Sequence, residues 1–304
     1  MHAVRTTLMT GTAPTLAAET DRSLALCLSS SFLGFFAHAG FLDGILRQGI
    51  RPGHVSGCSS GGYIAGLHAS GMTMDAMLEF LLAREMVNSF WDWGFPLNGI
   101  AMCANLKRFT GLSSGRRAMN YLRPLLKGRR IEDCRSPRLG IAVSNLRAGR
   151  GEIVQEGPLL DFMIATCAMP CLIAALEVEG NQYWDGALGD PSPITHWIND
   201  PQIETIVIHQ IITNPEIEAR AAEARLSIHH AFNLGFQVAN NRVVELSIQL
   251  AQQAGKRVEI IETRTPRPAF HQTAKRRLGL FEAGKQSAVA HGKLLGTLGT
   301  LQAV

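Results

Sequence analysis

A pentapeptide of the form G-x-S-x-G, Gly57-Cys58-Ser59-Ser60-Gly61, constrains this 304-residue chain more than any other stretch. His54-Val55-Ser56 before it reads as a short strand, and Gly62 to Ala69 after it as a helix stopped by Ser70-Gly71. Passing from strand to helix through such a turn strains the backbone of the central serine and leaves its hydroxyl projecting. The flanking glycines, Gly57 and Gly61, lack the Cβ atoms that would collide with the neighbouring strand and helix. The helix N-terminus then presents unpaired N–H groups to any negative charge developing beside Ser59. Taken alone, the pentapeptide also fits an ordinary small-residue turn, so the rest of the chain has to decide.

Upstream, Ser23 to Leu28 is nearly all apolar, as a parallel strand covered on both faces should be. A turn over Ser29 to Gly34 leads to a helix from Phe36 to Gln48, with Ala37, Phe41, Leu42 and Ile45 on one face and Gly49 as its stop. The order β–turn–α–β–turn–α opens a doubly wound α/β sheet. Further on, helices are expected over Met72–Leu82 and Leu159–Ala168, and a core strand over Leu139–Val143. A hairpin turning at Glu179-Gly180 delivers the chain into Asp185-Gly186-Ala187. Strands follow at Thr205–His209 and Arg257–Thr263, separated by a helical region from Ile217 to Gln253 that is expected to break near Asn240-Asn241. A loop at Thr265–Pro268 precedes a closing helix over Leu278–Leu294. With no repeat or linker visible, residues 23–304 read as one domain after a flexible tail at 1–22; residues 212–304 form a mainly helical part packed back on the core.

With 46% hydrophobic and 18% charged residues, the chain can bury a large core. A net charge of +4 suits weak attraction to an anionic lipid surface, and no nucleic-acid partner is indicated. Six cysteines without metal-ligand spacing read as reduced thiols of a cytoplasmic protein, and no secretory leader is expected. No stretch approaches the roughly 20 apolar residues of a membrane span, so any membrane contact is expected to be peripheral. Phe90 to Leu97 gathers two tryptophans and two phenylalanines, either as a packed core loop or as an apolar flap over the site. Basic residues at Lys107-Arg108, Arg116-Arg117 and Lys127 to Arg130 form a solvated face or, less simply, a headgroup site. There is no Walker lysine, no G-x-G-x-x-G and no H-E-x-x-H, so neither cofactor nor metal is expected.

A serine needs a group to take its proton. His196, His209, His229 and His230 lie downstream of Asp185, in the order a Ser–Asp–His triad requires, but none sits in a recognisable catalytic loop. The other candidate is the Asp185-Gly186-Ala187 block itself. Together with the elbow, it resembles the patatin-like phospholipase family, whose members use a Ser–Asp dyad. The resemblance covers residues 24–211 in order. Leu24 to Ser29 looks like the family's first strand, and Ala37 to Leu42 like the helix after its oxyanion loop. Gly57 to Gly61 matches the nucleophile motif. Ala165 to Pro170 is similar to its Ala-Ser-x-Ala-x-Pro segment, and Tyr183 to Ala187 with Asp190 to Pro193 resembles its Asp-Gly-Gly/Ala block.

The resemblance implies a patatin-like three-layer α/β fold with a mainly parallel sheet, Ser59 as nucleophile and Asp185 as base. It also implies an oxyanion hole from the N–H groups of Ser31, Phe32, Leu33 and Ser60. The expected activity is hydrolysis of lipid acyl esters, of phospholipase A or lysophospholipase type, without a cofactor. Burial would strengthen a carboxylate that is otherwise a weak base, with a reference pKa of about 3.9. The departure is in the loop: where the family has Gly-Gly-Gly-x-Arg/Lys-Gly, this chain has Ser30 to Phe35, with Gly34 alone able to serve as a permissive turn after a one-residue slip. Two alternatives stay open: an esterase or thioesterase for small acyl groups, and a catalytically impaired binding or scaffold relative.

Overall fold

The computed structural model describes residues 20–92, 94–104, 106, 110–213, 228–266, 269 and 272–292, with backbone alone at Phe95, Thr213 and 228–235. Residues 1–19 of the expected tail, Trp93, Lys107-Arg108, 217–227, Arg267-Pro268, the side chains of His229 and His230, and residues 293–294 of the expected closing helix lie outside it.

Strand β1 (Asp21–Leu28) starts two residues earlier than expected and is apolar because both its faces are covered. Leu24, Leu26 and Leu28 join the main core, while Ala25 and Cys27 face a smaller cluster with Ile206, Ile208, Trp197 and Ala251. Around β1 the sheet also contains β2 (Pro52–Cys58), β4 (Arg138–Asn145), β5 (Arg150–Val154), β7 (Leu176–Val178), β8 (Asn181–Asp185), β9 (Thr205–Thr213) and β10 (Arg257–Thr265). Its order is β10-β9-β1-β2-β4-β8-β7, with β5 on the other edge of β4. The strands from β10 through β4 are parallel, whereas β5, β8 and β7 pair antiparallel. The expected hairpin joins β7 to β8, with Glu179 and Gly180 both at positive φ (48° and 80°), as a two-residue turn matched to strand twist requires.

Helices form the outer layers. On one face α1 (Phe35–Arg47) packs between α9 (Ala274–Ala290) and α2 (Ser60–Ala69), with α3 (Met74–Leu82), α6 (Arg116–Leu126) and α7 (Leu159–Ala165) completing the main core. On the other face α8 (Ile228–Gln253) covers the smaller cluster through Ile248 and Ala251. This helix runs unbroken through Asn240-Asn241, correcting the expected break. Each asparagine lowers helix propensity by at most about 0.7 kcal/mol, too little against tertiary packing. The segment expected to run as one loop to Leu97 instead becomes α5 (Phe95–Cys103), after the short α4 (Arg84–Asn88). Helix α5 rests on β3 (Gly111–Ser113), which pairs with β6 (Cys171–Ile173) in a separate two-stranded sheet. No helix among the described residues is long and apolar enough to cross a membrane.

Candidate active site

Strand β4 works as a template for the site. One of its edges is occupied by β5 from Ile141 to Asn145, so β2 and β8 must share the other. Strand β2 ends there with Cys58 opposite Ala142, and β8 ends with Asp185 opposite the next residue, Val143. Two strands remote in sequence thus meet end to end, which places the residue after Cys58 beside Asp185.

That residue, Ser59, has φ 54° and ψ −126°, a conformation of order 1–3 kcal/mol uphill for a side-chain-bearing residue. Three contacts hold it. Its N–H donates to Thr166 Oγ1 (2.9 Å), and the Thr166 hydroxyl in turn donates to the Ala142 carbonyl (2.6 Å). Its carbonyl accepts from the Tyr63 N–H at 3.0 Å. The turn closes against β1 so tightly that a Cβ on Gly61 would lie 2.1 Å from the Leu28 carbonyl oxygen. Thr166 was visible in sequence only as part of a resembling segment; its bracing role depends on a contact spanning 107 positions.

Ser59 Oγ donates to Asp185 Oδ2 at 2.7 Å. Asp185 is almost fully buried. Its Oδ1 accepts from the Ala187 N–H (2.9 Å) and, more weakly, from Cys58 Sγ (3.7 Å). Gly186 lets this turn pass β4, since a Cβ there would sit 2.3 Å from the Ala142 carbonyl oxygen. Loss of water raises the Asp185 pKa to about 6, against the opposing pull of the Ala187, Ser59 and Cys58 donors. No imidazole stands between serine and carboxylate. His209 is fully buried in β9, bonded to His38 and Thr263, and His196 lies with its ring against Trp197.

The loop from Ser29 to Gly34 runs alongside. Its left-handed residue is Leu33 (φ 57°), whereas Gly34 is at φ −75°, so the permissive turn expected at the glycine falls on a leucine. Hydrogen bonds to remote segments hold the loop: Ser29 N–H donates to the His209 carbonyl (3.1 Å), Ser30 N–H to the Pro191 carbonyl (2.7 Å), and Ser60 Oγ to the Ser31 carbonyl (2.7 Å). Among the described residues, the N–H groups of Ser31 and Leu33 donate no hydrogen bond. Ser60 opens α2, so its N–H is among the first-turn donors without a partner inside the helix.

Ser31, Phe32, Leu33, Ser59, Ser60 and Asp185 border an open cleft. The rest of its wall is Phe35, Val87, Phe90, Trp91, Cys167, Met169, Leu172 and Ile173, which are overwhelmingly apolar. Both readings of the aromatic segment hold in part. Phe90 is a core residue stacked on Phe35 (ring centroids 5.6 Å apart), and it still reaches the cleft together with Trp91. Among the described residues no group of three or more His, Cys, Asp or Glu side chains is arranged to hold a metal ion.

A family model described as Patatin-like phospholipase matches residues 26–197, which include the loop, Ser59 and Asp185. Similar curated proteins include NTE family proteins of Mycobacterium bovis and Mycobacterium tuberculosis, themselves described as uncharacterized. Each is 26% identical over 174 residues, covering 56% of this chain and 44% of the relative. The match thus spans less than half the length of these relatives. Among solved structures, VipD from Legionella pneumophila aligns with TM-score 0.46 at 14% identity, over 91% of this chain and 67% of that one. The type III effector protein ExoU aligns with TM-score 0.38 at 12% identity, over 90% and 53%. At scores this low, the architecture rests on the sheet order and the family match.

Proposed function

Because the chain belongs to the patatin-like phospholipase family, we propose that it is a serine acyl hydrolase acting on lipid esters, with Ser59 as nucleophile and Asp185 as its base. The 2.7 Å hydrogen bond from Ser59 Oγ to Asp185 Oδ2 carries this reading. As Oγ attacks the ester carbonyl carbon, its proton passes to Asp185, and the carbonyl π pair moves to oxygen. The N–H groups of Ser31, Phe32 and Leu33, with that of Ser60, receive the oxyanion. Collapse expels the alkoxide, which takes the proton back from Asp185 and leaves as an alcohol. Water then attacks the acyl-enzyme, with Asp185 again accepting the proton; the acid departs and Ser59 recovers its hydrogen.

A carboxyl group with a pKa of about 6 is ionised at neutral pH and more basic than an ordinary aspartate. The apolar cleft supports an acyl chain as ligand. The left-handed Leu33 supports a working loop, because strain of this kind persists where the surroundings enforce it and gathers at functional sites. The absence of glycine from Ser30 to Leu33 favours the second reading, a relative that keeps the cleft with impaired chemistry.

A serine-reactive fluorophosphonate, followed by ester profiling across acyl lengths with and without vesicles, tests both. Labelling of the wild type but not of Ser59→Ala, with turnover rising with acyl length, is the expected result. Turnover confined to short soluble esters makes it a small-ester hydrolase. If the wild type is not labelled, the chemistry is lost.

A further inference from the structure

Helix α5 carries an apolar face that no described residue covers. Its inner side is tied down: Asn98 Nδ2 donates to the Leu112 carbonyl of β3 (3.0 Å), and Ala101 is buried. The outer side presents Leu97 (72% exposed) and Ile100 (67%), three positions apart and so neighbours on one face. Leu106 (54%) is drawn back against the helix end by its N–H, which donates to the Ala101 carbonyl at 3.0 Å. From Phe95 to Leu106 the sequence has no charged residue at all.

Two connections tie this element to the cleft wall. Phe90 and Trp91, which line the cleft, lie just before α5. Strand β3, on which α5 rests, pairs with β6, whose Leu172 and Ile173 line the cleft from the other side. Positive charge borders the face. Arg117 Nη1 donates to the Trp91 carbonyl (3.0 Å), and Arg116, next to it in sequence, is exposed. The nearby acid, Asp92, is engaged by the Ser114 N–H and hydroxyl, both at 2.6 Å.

We infer that this face seats the protein on an anionic lipid surface. Leu97, Ile100 and Leu106 enter the acyl boundary while Arg116 meets headgroup phosphates. An uncharged apolar face with cations at its margin is the pattern of an element lying in a membrane interface. The face is too small for a stable protein partner, which would need roughly 20–30 residues a side. For what the cleft then receives, the inference rests on the acyl-hydrolase reading: an acyl chain passes from bilayer to Ser59 along an apolar route. Docking itself needs no catalysis.

The test is co-flotation of the full chain with vesicles of phosphatidylcholine alone or with about 30% phosphatidylglycerol, read alongside hydrolysis of a soluble short-chain ester. The wild type should favour the anionic vesicles by roughly tenfold or more. The double variant Leu97→Ser/Ile100→Ser should lose at least about tenfold in partitioning, with soluble-ester turnover unchanged. Leu278→Ser/Val289→Ser, which removes exposed apolar groups from α9, should partition like the wild type. Arg116→Glu, a second and independent variant, should weaken anionic-vesicle binding by roughly tenfold. No wild-type binding, equal binding to both vesicles, or either α5-rim variant binding like the wild type overturns the inference. Absence of ester turnover in the wild type would strike only the catalytic reading, since flotation is read without it.

Discussion

Two polar pairs flank β1, one opening on the cleft and one sealed in the core, and their surroundings differ in what they allow a proton to do. At the end of β2, Ser59 donates to Asp185 on the wall of an open cleft, with strained backbone and a carboxylate stripped of water. In β9, His209 meets His38 of α1 through their Nδ1 atoms at 2.8 Å, and both rings are fully buried. There the hydrogens can be assigned in sequence. Ser287 Oγ gives its proton to the Gly284 carbonyl (2.7 Å), so it accepts from Thr263 Oγ1 (2.5 Å). Thr263 must then accept from His209 Nε2 at 2.7 Å, which leaves His209 Nδ1 as acceptor and His38 Nδ1 as donor. Every proton between His38 and Gly284 has one place, and Phe41 lies parallel to the His209 ring with 4.0 Å between centroids. A chain of partners buried away from the cleft holds its protons, whereas a pair open to the cleft can pass one to a substrate. On the proposed reading, access and an unfilled role choose the base, and having an imidazole does not.

The largest expected effect tests that division directly. Ser59→Ala and Asp185→Asn should each lower ester turnover by at least roughly 10³-fold, whereas His209→Phe and His196→Ala should leave it within a few-fold. Loss of turnover in a folded His209 variant would erase the contrast. Second, kcat/KM should follow a single ionisation, falling about tenfold per pH unit below the Asp185 pKa of about 6; a pH–rate profile reads this. Third, Thr166→Val deprives the Ser59 N–H of its acceptor and should lower kcat roughly tenfold, with Thr166→Ser restoring most of it.

The smallest effects are in stability, and their signs differ. Asp185 has its folded pKa raised from 3.8 to about 6, so its contribution is fully present below 3.8 and is lost as pH rises through about 6. At neutral pH that amounts to a penalty of roughly 3 kcal/mol, which Asp185→Asn should partly relieve in urea denaturation while destroying activity. Burial lowers the folded pKa of His38 from 6.5 to about 3 and drives that of His209 well below 6.5. Their contribution is present above 6.5 and lost as pH falls toward about 3. His38→Ala should remove about 1–3 kcal/mol at neutral pH, mainly by leaving His209 Nδ1 without a donor, and should flatten the acid limb of the stability curve. An unchanged acid limb would mean that the pair is not what acid attacks.

Much of this architecture was legible in the residues. The uniform apolarity of Leu24–Leu28 announces a strand covered on both faces; Glu179-Gly180 announces a tight hairpin; and Gly57 to Gly61 announces a strand–turn–helix with a projecting serine. Each is a local signal, because backbone propensity and glycine sterics act over a few residues. The short strands β3 and β6 were not legible, since three residues carry no period. Nor could Asn240-Asn241 show that packing would hold a helix through them.

What the sequence determined by itself, then, is the elbow around Ser59, the doubly wound plan and Asp185 as a candidate partner. Only the tertiary structure decided that β2 and β8 end at adjacent positions of β4 and that Thr166 braces the serine. It also decided that Leu33 rather than Gly34 turns left-handed, and that His209 is locked to His38. All four are contacts or strains between segments far apart in the chain. Their energies come from what the fold has brought together, and no window of sequence contains both partners.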